Sequence, residues 1–266
     1  MSYIIFSLRL IFVFFVFIFF VFASDVKNKR SIENMVLISS NVYYPLFKTE
    51  FDVFFPIEVD SFYIDKYPVT NGEFLFFLKK KTDWNKKKIK SLFADENYLN
   101  HWDLYNFIDI VDKPVTNVSW FAANEFCNFY GKRLPTVVEW ESVGYSSEFS
   151  SIGNGDPAYL INILNWYVGE KDNYLIKIQN MKKNYWGIFG MNGIIWEWVE
   201  DFSSVIMLNV DAEGGELEEV LYCGAVATKS IDPTDYAAFM RFAFRNSLKA
   251  DYTMSSLGFR CVKSVN

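Results

Sequence analysis

The sequence predicts an α+β domain in which irregular loops outweigh regular elements. Three observations carry that prediction. Short stretches in the first quarter alternate apolar and polar residues, as strands do. Three segments open with a capping residue and continue with a helical apolar face. Beyond Gly144, glycine, asparagine and aromatic residues crowd together with few helical periods, which calls for loops and short strands.

From Leu10 to Ala23 the run LIFVFFVFIFFVFA contains no polar residue, follows Arg9 and gives way to Ser24. It is shorter than the roughly 20 residues that span a bilayer, and Phe-Ala-Ser offers a small-residue cleavage site after Ala23. Residues 1–23 are therefore expected to be a secretory signal, with an uncleaved anchor extended through Ile4 to Phe6 as the alternative. Residues 24–34 form a polar linker, and residues 35–264 one domain, exported to the periplasm, cell envelope or extracellular medium. No cysteine follows the run, so a lipoprotein anchor is not indicated.

Met35 to Ile38 and FDVFFPIEVDSFYIDKY alternate well enough for strands. A helix then begins at Thr70, where Glu73 completes a capping box and Phe74, Leu75, Phe77 and Leu78 supply the apolar face. A second starts near Ser119 in SWFAANEFCNFYG, places Ala123, Cys127 and Tyr130 on one side, and stops at Gly131. Cys127 thus faces the core. A third begins at Thr136, with Glu139 closing another capping box. PVTN occurs at Pro68 and again at Pro114; because the flanks differ, the two are similar strand-to-helix junctions and not a duplication.

The chain has 266 residues, 51% of them hydrophobic and 20% aromatic, enough for a sizeable core. Its bias towards Phe, Ile, Lys and Asn points to an AT-rich bacterial genome. A net charge of -6 argues against nucleic acid as a partner. Lys79 to Lys81 and Lys86 to Lys88 read as a solvated helix end and loop. Asp211 to Glu219 reads as an exposed acidic turn without the ligand spacing of an EF-hand.

Chemistry is limited by what the chain owns. His101 is its one histidine, so a serine triad, a histidine-ligated zinc and a two-histidine iron site all lack parts. His101 reads as a partly buried polar residue, not a base. Three cysteines remain, Cys127, Cys223 and Cys261. In an exported protein two of three commonly pair, and spacing alone leaves the choice open.

At this point the sequence resembles a known family. NMVLIS, DSFYIDKYPVTNGEF, PVTNVSWFAANEFCNFYGKRLPTVVEWE, NYWGIFGMNGIIWEWVEDF and LGFRCV are similar, in order, to successive motifs of the formylglycine-generating enzymes, or sulfatase-modifying factors. The likeness runs from about Met35 to Val262. It implies an irregular, loop-rich variant of the C-type-lectin-like fold, and a disulfide between Cys127 and Cys261. It also implies where oxidation would occur: two copper-binding cysteines a few residues beyond a Gly-Gly-Ser element. Here that stretch is LYCGAVATKSIDP, the thiol positions fall near Thr228 and Pro233, and Cys223 is the one free-thiol candidate. Copper is therefore not expected. Ser256 also replaces an asparagine often found before Leu-Gly-Phe-Arg.

Structural calcium is the inheritance the resemblance favours. Its ligands would be Glu197 with the carbonyls of Gly193 and Ile195, and, at a second site, Asn165 and Asp172, although Gly190 and Ile194 stand where the family has asparagines. The alternative for Glu197 is a carboxylate bonded to backbone donors beneath Trp196 and Trp198. The expected function is a non-catalytic exported module that binds a protein, peptide or glycan, or supports an envelope assembly, with membrane contact only through an uncleaved N-terminal segment. The competing expectation is an oxidoreductase with altered chemistry.

Overall fold

A computed structural model of the chain describes residues 33–43, 56–153, 176–202, 240–241 and 243–265, together with 159, 161, 163 and 165. Contacts divide the chain into two units, 1–35 and 36–266. The first contributes only residues 33–35 to the described set, so the expected signal and anchor lie outside it, as do the stretch 51–55 and the acidic turn 211–219.

Short strands come first among the described elements. β1 (Met35–Ile38), β2 (Asn41–Tyr43), β3 (Ile57–Val59) and β4 (Phe62–Asp65) come first in the chain, and β7 (Val262–Ser264) comes last. One sheet has the order β1-β4-β7, with Phe62 opposite Ser264 and Ile64 opposite Val262 in an antiparallel pair. The end of the chain is thereby built into the first sheet. β2 and β3 pair antiparallel, and β5 (Trp196–Glu197) and β6 (Leu257–Gly258) pair parallel.

The helices start where their caps dictate. α1 (Asn71–Lys80) carries the complete capping box: Glu73 N donates to Thr70 Oγ1 at 3.2 Å, and Thr70 N donates to the Glu73 carboxylate at 2.8 Å. Two short helices, α2 (His101–Leu104) and α3 (Phe107–Ile110), follow. α4 (Trp120–Phe129) is capped by Ser119 Oγ, which accepts from Ala122 N, and the chain turns away at Gly131, whose φ of 68° suits a residue without Cβ. α5 (Val137–Gly144) repeats the capping box with Thr136 and Glu139. Each such cap contributes about 1 kcal/mol.

The two PVTN junctions lie side by side. Val115 N donates to Val69 O at 2.8 Å, and Thr70 bridges Pro114. Asn71 Nδ2 then donates to the carbonyls of Ile110, Lys113 and Pro114, so the first junction's asparagine also ties down the turn before the second. The similarity of the two segments becomes a contact between them.

Among the described residues there are two apolar clusters. One gathers Phe74, Phe77, Phe126, Trp198 and Phe259 around Cys127 and Cys261, with Phe126 ring to ring against Phe74 at 5.7 Å and Phe259 at 5.3 Å. The other gathers Ile38, Ile64, Val137, Trp140, Ile188, Val199 and Val262 between the first sheet and α5. At Gly258 the packing is so close that a Cβ would stand 2.3 Å from Val115 O.

Candidate functional site

Cys127 and Cys261 are joined, with an S–S distance of 2.03 Å and a Cα separation of 5.6 Å across 134 residues of sequence. Both are fully buried. α4 brings one partner into the aromatic cluster, and the residue before β7 brings the other. Asp65 seats that end: its carboxylate accepts Cys261 N at 3.0 Å and the Lys132 ammonium at 2.5 Å. Neither sulfur is therefore a free thiolate. Cys223, Thr228 and Pro233 lie outside the described residues.

The chain's three cysteines less the bonded two leave one, and a Cu(I) site built on two thiolates needs two. The residues of this chain do not fit the copper pair.

Glu197 sits in β5, opposite Gly258 of the parallel strand β6. Arg260 lies two residues beyond Gly258, on the same side of an extended chain, and so reaches the Glu197 carboxylate. Its Nε donates to Oε2 and its Nη2 to Oε1, both at 2.8 Å, a bidentate pair with both side chains fully buried. Arg260 spends further donors on the carbonyls of Asp65 and Phe189. Trp140 Nε1 of α5 also donates to Glu197 Oε2 at 2.8 Å. The expectation of backbone donors beneath the tryptophans is thus replaced by two side chains, because the parallel register delivers Arg260 to the carboxylate.

A second carboxylate follows directly in the chain. Glu141 is fully buried and receives Arg241 through Nε at 3.1 Å and Nη2 at 2.8 Å, and Arg245 through Nη1 at 2.5 Å. Burial works to raise its pKa, but the two guanidinium groups prevail and hold it down to about 2. Arg245 also lies over the Trp140 ring at 4.9 Å. One continuous network therefore runs from Arg260 through Glu197, Trp140 and Arg245 to Glu141 and Arg241.

A pocket opens along this network, lined by Gly193, Ile195, Glu197, Trp140, Arg241 and Arg245 among others. Three of these are the residues that the resemblance offers to calcium. They do not fit it: both Glu197 oxygens already accept from Arg260, and the facing wall carries two more guanidinium groups. Asn165 is an exposed helical residue, and Asp172 lies outside the described residues. Among the described residues no three of His, Cys, Asp and Glu are grouped as a metal site would require.

Trp198 is fully buried and donates through Nε1 to Val118 O, whereas Trp196 is half-buried and stacks on Phe244 at 4.1 Å between ring centroids. His101 is buried with Nε2 2.8 Å from Asn71 Oδ1. The Asn71 amide is oriented by its three carbonyl acceptors, and Oδ1 also accepts Trp102 Nε1, so the histidine donates through Nε2. Desolvation, offset in part by Asn117, brings its pKa down to about 4. It is a buried core residue whose Nε2 is bonded and whose Nδ1 has no hydrogen-bond partner among the described residues.

Sequence reasoning missed Arg241, Arg245, Arg260 and Glu141. The available signals were an arginine pair at helical i, i+4 spacing in MRFAFR and charged residues set among apolar neighbours in VVEWESV and LGFRCV.

The family described as sulfatase-modifying factor enzyme 1-like domain matches residues 22–265. The chain is 23% identical to a serine/threonine-protein kinase pkn1 of Chlamydia caviae, over 79% of this chain and 34% of that protein. It is 25% identical to the formylglycine-generating enzyme of Bos taurus, over 77% of this chain and 66% of that protein. The chain thus spans about a third of the first relative and just under two thirds of the second. Among solved structures, Treponema denticola variable protein 1 shares the fold with a TM-score of 0.52 at 17% identity, over 86% of this chain and 94% of that one.

Proposed function

The chain belongs to the sulfatase-modifying factor family, and from that premise we propose that it is an exported, non-catalytic member serving as a binding or structural module of the cell envelope. One observation carries the reading. Two of three cysteines are consumed by a buried disulfide, so the paired thiolates that copper oxidation would need cannot be assembled from what remains. The disulfide also agrees with an oxidising compartment, as does the apolar run from Leu10 to Ala23. Membrane contact in this reading is confined to that run, if it is retained.

The partner is a protein, peptide or glycan, and not nucleic acid, given the net charge of -6. A likeness of fold does not restore the chemistry of a relative when the reacting groups differ. The experiment is a Cu(I) titration of the purified protein followed by incubation with a cysteine-containing sulfatase peptide under oxygen. Neither tight copper binding nor an aldehyde product is expected. Copper-dependent aldehyde formation, read by mass spectrometry of the peptide, would overturn the reading in favour of an oxidoreductase.

A further inference from the structure

The stretch Gly193–Glu197 is where the resemblance puts a calcium ion, yet its one carboxylate already has a cation. Arg260 holds Glu197 through two parallel hydrogen bonds, Trp140 takes a further lone pair, and the pair is sealed from water. Calcium needs six to eight oxygen ligands, several of them anionic. The pocket beside Glu197 instead presents Arg241 and Arg245, both turned onto Glu141. A divalent ion placed against the carbonyls of Gly193 and Ile195 would share the pocket with two guanidinium groups at low dielectric, with no carboxylate there that is not already paired among the described residues.

We infer that guanidinium groups have taken the metal's place in this domain, with Arg260 as the permanent counter-ion of Glu197 and Arg241 with Arg245 as those of Glu141. Their role is the one a structural ion performs elsewhere, namely to cross-link segments far apart in sequence. Arg260 joins β5 to the segment before β7 and to the carbonyls of Asp65 and Phe189, and Arg241 with Arg245 joins the helical residues 240, 241 and 243–247 to α5. A guanidinium is always charged and comes with the chain, so this cross-link does not depend on the metal content of the medium.

The test is thermal unfolding of the full chain in chelator and in millimolar calcium, alongside the Glu197→Gln variant. The same midpoint in both media is expected. A site filled at a hundred times its dissociation constant would raise Tm by about 5 °C or more. Such a rise in the natural chain, abolished by Glu197→Gln, would overturn the inference. A rise that survives the substitution arises from other oxygen ligands and leaves Glu197 with its arginine, as inferred. Should the single variant not fold, Glu197→Gln combined with Arg260→Gln removes both charges together and serves the same comparison.

Discussion

Two regions of the core are fastened by different means. Around Cys127 and Cys261 the side chains are mostly aromatic and a covalent bond cross-links them, whereas around Trp140 the cross-links are buried ion pairs among Glu141, Glu197 and three arginines. The first region depends on oxidation. The second is indifferent to redox conditions but leaves uncompensated charge if one partner is removed. Both do the same mechanical work, tying the last quarter of the chain to segments before residue 145, in a domain whose strands are too short to do it by backbone pairing alone.

The covalent tie is expected to show the largest effect. A loop of this length gives about 5 kcal/mol from loop-closure entropy alone, so Cys127→Ala with Cys261→Ala should lower the urea unfolding free energy by about 2–5 kcal/mol. An unchanged midpoint would remove the covalent half of the comparison. Next comes Glu141→Gln, which leaves Arg241 and Arg245 buried against a neutral amide. A loss of about 3 kcal/mol or more is expected in the same measurement. A loss below about 1 kcal/mol would mean that the network is a minor contributor, comparable to a surface pair.

Acid separates the two regions in an order opposite to their charge content. The aromatic side contains neutral His101, whose folded pKa of about 4 lies below its ordinary value of 6.5. The unfolded chain therefore binds more protons between those values, and stability that is complete above pH 6.5 falls as pH drops towards 4, by about 3 kcal/mol from this residue. Glu141, ordinarily near 4.5 and held at about 2, keeps its contribution until lower pH. Unfolding free energies measured from pH 7 to pH 4 should thus decline in the natural chain and decline less in His101→Gln. Equal slopes would assign the acid loss to other groups.

How much of this could be read from residues in a row differs between the regions. Thr70, Ser119 and Thr136 announce their helices because capping is settled within four residues, and the structure has all three. Cys127 faces the core as helical spacing requires, but its partner came only with the family resemblance. For Glu197 the resemblance pointed to the residue, and its partner Arg260 came only with the structure. Its true partner depends on which residue of a second strand stands opposite, and neither strand declares that register.

The sequence by itself determined the class of fold, the helix boundaries, the scarcity of catalytic groups and the family, because each of these depends on local pattern or on counting. Only the tertiary structure decided that the PVTN junctions pair, that Glu141 and Glu197 are held by arginines, and that His101 is neutral. Those outcomes depend on distances between residues up to 104 positions apart, such as Glu141 and Arg245, and on desolvation, which exists only once the surrounding side chains have closed over the charge.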